Sequence, residues 1–355
     1  MAIFSFNNVG ISGISAVVPK RIIKNDTFSN VFSDEERRQV IALTGVEERR
    51  FAEKNICSSD LCLEAANVLI ENIGINPMDI DMVIFLSLTP DYHQPPTAPI
   101  LQNKLNLKKG TGAFDISMAC AGYIYALSTA YAYASLEHIK KVLLLTGETS
   151  SKVISYQDKA TSLLFGDAAA ATLVEKGEFG KSFFSLNSDG SGEDMIKVKS
   201  GGYRYMSSPE STTPKKFDNG STRSDENVFM DGAEVFNFSM REIPRDIIQI
   251  LDYAGMGIEQ IDYLVFHQAN RFITDRLAKK VKCPSEKLPY SIQKYGNTGS
   301  VSIPLTISSE LRNALSSQKK KILMSGFGAG LSWASAILTM GNCFISEVIE
   351  STSKG

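Results

Sequence analysis

Three histidines, one tryptophan and five cysteines are all the scarce chemistry that these 355 residues contain. The cysteines (57, 62, 120, 283 and 343) are odd in number and widely scattered. That pattern argues against a disulfide framework and fits reduced thiols in the cytoplasm. Cys57 and Cys62 lie close together, but no second cysteine pair or nearby histidine completes a zinc pattern, so no metal is expected. Basic excess is missing too. A formal net charge of −2 argues against nucleic acid as the main partner. The first residues, MAIFSFNNVGISGISAVVPK, lack the charged start and long apolar run of a secretory signal.

Residues 116–136 (ISMACAGYIYALSTAYAYASL) carry no charge at all, yet hold four tyrosines, Ser117, Ser128, Thr129 and Ser135. Bilayer hydrocarbon tolerates those groups poorly. A helix apolar nearly all round is also what the centre of a large soluble protein requires. The stretch is read as a buried central helix, and no membrane partner is expected.

What is present is an internal echo. Gly74, Ile80, Asp81 and Phe85 of GINPMDIDMVIF recur 181 positions later as Gly255, Ile261, Asp262 and Phe266 of GMGIEQIDYLVF. Lys140-Lys141-Val142-Leu143 is answered, within one residue of the same shift, by Lys320-Lys321-Ile322-Leu323. A repeat at half the chain length means two similar supersecondary halves, here residues 1–180 and 181–355. In each half, short apolar runs (MVIFLSL, KVLLLTG, AAAATLV; DYLVFHQ, KILMSGF, SWASAILTM) alternate with helical stretches. That pattern predicts an α/β fold with mainly parallel sheets covered on both faces. Pro244 is expected to mark a helix start or a kink. Residues 199–227, rich in Ser, Thr, Pro and Gly, read as a surface excursion.

Few residues can do chemistry. Cys120 lies where a DIS strand passes through small residues into the uncharged stretch, a helix N-terminus that would favour thiolate. Taken alone, it is equally a buried core cysteine. His267 ends the strand DYLVF in HQAN, beside Asn270, whereas His93 sits in a proline-rich loop and His138 at a charged helix end. Asn297 occupies a Gly-flanked turn, KYGNTGS, where a turn-forming role alone would suffice. Together, a thiol, a histidine and an asparagine from three segments make a nucleophilic set. GFGAG (residues 326–330) adds backbone N–H groups suited to an oxyanion.

CAGY after DIS, HQAN, YGNTGS with SIP, FGDAAAA and GFGAGLSW, in that order, resemble the ketoacyl-acyl-carrier-protein synthase III family of the thiolase superfamily. The resemblance implies a five-layered αβαβα thiolase-like fold of two pseudo-symmetric halves, in a homodimer. It implies that Cys120 takes an acyl group from a thioester donor, with the N–H groups of Cys120 and Ala329 holding the oxyanion. His267, neutral, and Asn297 would then stabilise the enolate formed when malonyl-acyl carrier protein loses carbon dioxide. No cofactor is implied beyond the acyl-CoA or acyl-carrier substrate.

Several positions depart from the family pattern. Gln39, Leu43 and Lys159 stand where members that use coenzyme A place the tryptophan and arginines that hold adenine. Gln94 replaces a phenylalanine that closes the neighbouring subunit's acyl pocket. Ala329 replaces the middle glycine of a run, where a positive φ would be strained. The arginine of HQANRF comes one place early. Arg271, Arg276, Lys279, Lys280 and Lys282 form a candidate docking face for the acidic carrier protein, or simply a solvated helix face. The excursion at 199–227 is either a tolerated insertion or a lid over the acyl pocket. A thiolase would need a second cysteine near GFGAG, and a hydroxymethylglutaryl-type synthase a glutamate such as Glu148 or Glu64 beside Cys120. The alternatives kept are acyl transfer from Cys120 to an alcohol or amine, with His267 as base, and a non-catalytic acyl-binding partner.

Overall fold

The computed structural model describes residues 2–28 and 31–353. Among these, nine strands share one hydrogen-bonded system: β1 (Ala2–Val18), β2 (Met82–Leu86), β3 (Gly112–Ile116), β4 (Lys141–Glu148), β5 (Ala168–Ser188), β6 (Tyr263–Phe266), β7 (Lys320–Gly328), β8 (Ser332–Met340) and β9 (Phe344–Glu350). The helices that matter for the site are α1 (Asp34–Thr44), α2 (Ser58–Ile73), α3 (Thr97–Lys104), α4 (Gly122–Ala134), α5 (Gly232–Ala254) and α6 (Arg271–Lys280).

Two sheets emerge because β1 and β5 are long enough to serve both. The first runs β3-β2-β4-β5-β1-β9 and uses the second part of β1 and the first part of β5. The second runs β6-β7-β8-β5-β1 and uses the other part of each. A division of the chain at 180/181 therefore falls inside β5, and the first and last strands each pair across it. The expectation of mainly parallel sheets is corrected. Pairs β2/β3, β2/β4, β6/β7 and β1/β9 are parallel, but β4/β5, β5/β1, β5/β8 and β7/β8 are antiparallel.

Layers follow from which faces are apolar. Along β2, Ile84 and Leu86 point into the core shared with α4, while Val83 and Phe85 face α2 and α3. A strand buried on both faces has no polar face to alternate, which is why MVIFL reads as a continuous apolar run. The second half repeats this, with Val265 inward and Leu264 and Phe266 against α5 and α6. Residues 302–317 pair with α4 as the central layer, Ile303, Ile307, Leu311 and Leu315 sharing its core. The order is α2/α3, sheet, α4/302–317, sheet, α5/α6: the five-layered αβαβα architecture.

The sequence echo has a structural meaning. Gly74 and Gly255 both end helices with left-handed φ, at 72° and 66°. Ile80 and Ile261 are fully buried. Asp81 accepts from the Lys140 and Lys141 backbone N–H groups at 2.8 and 3.2 Å, and Asp262 from that of Lys321 at 2.7 Å. The same aspartate ties the same two strand starts in each half.

Pro244 lies inside α5 and not at its start, which Asp231 caps. Proline removes the N–H that would have bonded the Met240 carbonyl one turn back, and Lys280 Nζ, from α6, supplies a donor to that carbonyl at 3.0 Å. Lys280→Met should lower stability by about 0.5–1.5 kcal/mol, the usual worth of one hydrogen bond, read as a urea midpoint shift.

Candidate active site

Strand ends converge on one cavity, lined by Leu88, Cys120, Glu148, His267, Asn297 and Gly328 among others. Leu88 follows β2, Glu148 ends β4, His267 follows β6 and Gly328 ends β7. This is where parallel strands of an α/β protein deliver side chains to a ligand. The cavity thus brings Cys120, His267, Asn297 and Ala329 together, as the sequence motifs led one to expect.

Cys120 lies two residues before α4. Helix geometry alone would favour its thiolate, but the structure reverses the balance. Burial, and behind it the charge of Glu148, push the thiol up to about 12, its own backbone N–H working the other way. Desolvation of the anion outweighs a helix-end effect because the sulfur faces apolar walls. The unreacted cysteine is a thiol.

His267 is 2% exposed. Burial pushes its imidazole down to about 3, against a backbone hydrogen bond with Gly299, so the ring is neutral. Nδ1 lies 2.7 Å from Ser302 Oγ, which accepts from the Gln268 N–H at 3.3 Å. The ring lines the cavity beside Cys120 and Asn297. The Phe327 ring stands edge-on to the imidazole, with centroids 5.6 Å apart.

Asn297 is held by its backbone first. Its N–H donates to the Leu164 carbonyl at 2.9 Å, and its carbonyl accepts from Gly166 at 3.0 Å. The preceding Gly296 has φ 67°, and a Cβ there would fall 2.6 Å from the Leu164 oxygen. No other residue fits. The side-chain Oδ1 accepts from Gly299 N–H at 2.9 Å, and Nδ2 reaches the Ala269 carbonyl at 3.4 Å. The Gly299 and Ala269 contacts fix which way the amide faces and leave its second N–H free of those two partners.

β7 ends against the cysteine. A Cβ on Gly328 would lie 3.1 Å from Cys120 Sγ. Ala329 is not among the residues with positive φ; Gly330 takes that conformation at 141°. The strain anticipated at Ala329 is absent.

Other candidates fall elsewhere. Gln94 is exposed on a loop and does not line this chain's cavity. Arg271 is engaged by Asp275 at 3.1 Å and stacks on Tyr290, and Lys280 serves α5, whereas Arg276 and Lys279 are exposed. Lys159 pairs with Glu36 at 2.8 Å, and Gln39 donates to Glu35 at 2.8 Å. The excursion is not a lid: Ile196, Val198, Val228 and Met230 line the cavity, but residues 199–227 do not. They lie behind that wall, stitched to residues 155–159 through Ser155, Gln157 and Ser221. Glu64 is bound up with Ser351, Thr352 and Ser353, away from the cysteine. Glu148 is in the wall, 3% exposed, with burial pushing its carboxyl up to about 7. The clue in sequence was an acidic residue closing an otherwise apolar strand, KVLLLTGE.

Among the described residues no group of three or more His, Cys, Asp or Glu could hold a metal ion, and no helix is long and apolar enough to cross a membrane. Because His267 is buried and neutral, its ring proton signals should show no titration near 6.5, where an exposed histidine changes charge. NMR of selectively labelled protein checks this.

The family model described as 3-oxoacyl-[acyl-carrier-protein (ACP)] synthase III matches residues 114–190, and its C-terminal counterpart matches 251–340. The beta-ketoacyl-[acyl-carrier-protein] synthase III of Desulfitobacterium hafniense (strain Y51) is 32% identical over 333 residues, covering 93% of this chain and 97% of that protein. That of Caldanaerobacter subterraneus subsp. tengcongensis is 34% identical over 331 residues, with 93% and 97% covered. In structure, the 3-oxoacyl-(acyl-carrier protein) synthase of Burkholderia xenovorans LB400 superposes with a TM-score of 0.91 at 37% identity, with 99% of each chain covered.

Proposed function

This chain belongs to the 3-oxoacyl-[acyl-carrier-protein] synthase III family of condensing enzymes, and on that premise we propose that Cys120 accepts an acyl group and passes it to the carbanion of a decarboxylating malonyl-acyl carrier protein. The observation that carries this reading is the single cavity in which a cysteine, a neutral histidine and an N–H-presenting asparagine converge. In the first stage Cys120 sulfur attacks the donor thioester. The N–H groups of Cys120 and Ala329 are assigned to the oxyanion, where losing one such donor typically lowers the rate ~10²–10³-fold. In the second stage the malonyl thioester loses carbon dioxide, and the enolate oxygen takes hydrogen bonds from His267 Nε2 and Asn297 Nδ2. A charged imidazolium is not needed. A neutral N–H donor avoids stabilising the malonyl carboxylate that must leave.

The donor assigned here is an acyl-carrier thioester. Lys159 and Gln39, at positions that elsewhere hold adenine, are tied to Glu36 and Glu35. Arg276 and Lys279 are the exposed cations of α6 assigned to carrier docking. A homodimer is part of the same reading. Among the described residues β3 ends its sheet with no strand on its outer edge, and a second copy's β3 would continue it. Gln94 would then face the partner's acyl pocket.

The test is intact-protein mass spectrometry of the enzyme with malonyl-carrier protein and a panel of acyl-CoA and acyl-carrier donors, with Cys120→Ala as control. A 3-oxoacyl carrier formed only by the parent protein is the expected product. Acylated Cys120 beside untouched malonyl-carrier would overturn condensation in favour of transfer to an alcohol or amine. Arg276→Glu with Lys279→Glu should raise KM for the carrier about tenfold with kcat little changed. Unaltered steady-state kinetics would remove that face from docking.

A further inference from the structure

One ionisable group in the cavity has no part in the chemistry so far. Glu148 closes β4 within the wall shared by Cys120, His267 and Asn297. Its carboxylate accepts from Ser300 Oγ at 2.8 Å, from the Leu88 N–H at 3.2 and 3.3 Å, and from Thr89 Oγ1 at 3.3 Å. Its stem packs on the turn after Asn297, where a Cβ on Gly299 would lie 3.2 Å from Glu148 Cγ. The three donor groups make four contacts with the two oxygens, the Leu88 N–H being shared between both, so an added proton would displace one of the long contacts at 3.2–3.3 Å.

We propose that Glu148 is the proton acceptor for the Cys120 thiol in the acylation stage, and returns that proton to the departing carrier thiolate. As the S–H bond breaks, an O–H bond forms on Glu148, and the sulfur pair attacks the thioester carbonyl, whose π electrons move onto oxygen. When the tetrahedral adduct collapses, the donor C–S bond breaks. The leaving sulfur takes the proton from Glu148, which is again a carboxylate. No proton, electron or co-reactant is left over.

Charge conservation inside the cavity favours this route. Deprotonating Cys120 to bulk water beside ionised Glu148 would place a second negative charge in a low-dielectric space, which is costly. Transfer between the two keeps a single negative charge throughout. His267 is the competing base, but burial lowers it to about 3 while Glu148 is raised to about 7, so the carboxylate holds a proton far better. The groups facing Glu148 are Cys120 and His267 in the cavity, Asp167 just before β5, and Cys62 from α2. None of these is a cation that would pin its charge.

The inference rests on Cys120 being the acylated residue. Glu148→Gln keeps the shape and most of the hydrogen bonds but cannot accept the proton. Single-turnover acylation of Cys120, followed by mass spectrometry across pH, should rise through about 7 in the parent protein. In Glu148→Gln it should be slower by about 10²-fold and lack that rise, as general-base loss implies. Decarboxylation of malonyl-carrier by the variant, once acylated on long incubation, should fall far less. Equal loss in both stages would reduce Glu148 to a support for the 297–300 turn and sink the proposal, as would an unchanged acylation profile. Should the variant fold poorly, alkylation of parental Cys120 by iodoacetamide gives a second reading. An inflection near 7 supports the proposal; reactivity appearing only far above it does not. Failure of the parent to acylate at Cys120 at all would bring down the underlying assignment as well.

Discussion

The residues that lead into α4 are pressed against the backbone of β7, and the rest of the site depends on that approach. A Cβ on Gly326 would lie 3.0 Å from the Cys120 carbonyl and 3.1 Å from Ala121 Cα, and one on Gly328 would lie 3.0 Å from Cys120 Cβ. Side chains at those positions would force helix and strand apart and carry the thiol away from the ends of β4 and β6. Close approach also demands that α4 be buried between two sheets, so it carries no charge from Gly122 to Ala134. One packing requirement thus explains both the glycines after KILMS and the long uncharged stretch after Cys120.

Burial then sets the protonation of everything nearby. The same desolvation pushes the thiol up, the imidazole down and the glutamate up, each toward its neutral form. A cavity whose thiol and imidazole are both uncharged suits an apolar acyl chain. The unreacted Cys120 is accordingly held toward the thiol. A helix end contributes, at most, about 2 kcal/mol in partly buried settings, and here it loses to the removal of water.

Much of the fold was legible in the sequence, and what was not has physical reasons. The aspartates at 81 and 262 stood out because each must satisfy the same strand starts, so duplication preserved them. Cys120, His267 and Asn297 were legible as motifs because each needs a particular backbone around it: a helix start, a strand end, a left-handed glycine. Strand direction was not. β8 and the start of β5 are largely buried on both faces, and an apolar run reads alike whether it runs parallel or antiparallel. The pairing of the Met240 carbonyl with Lys280 was hidden because it joins positions 40 apart on different helices. Composition marked the 199–227 excursion as surface but could not say which wall it lies behind. Glu148 went unplaced because an acid at a strand end looks like a surface residue until the opposite half is folded over it.

Duplication supplies a frame, and departures from it supply the chemistry. Phe85 pairs with Leu145 across β2 and β4 as Phe266 pairs with Ser325 across β6 and β7. In that register His267 stands where the first half has Leu86, and Gly328 where the first half has Glu148. Cys120 precedes the first central helix as Ser300 precedes the second. Each functional group therefore faces a counterpart that lacks its chemistry: an apolar residue, a bare backbone or a hydroxyl. Two identical halves would set like against like, with paired acids repelling and paired glycines leaving a void. Asymmetry at these three equivalent positions gives the crevice a thiol, a neutral imidazole and a buried carboxyl in place of matched pairs.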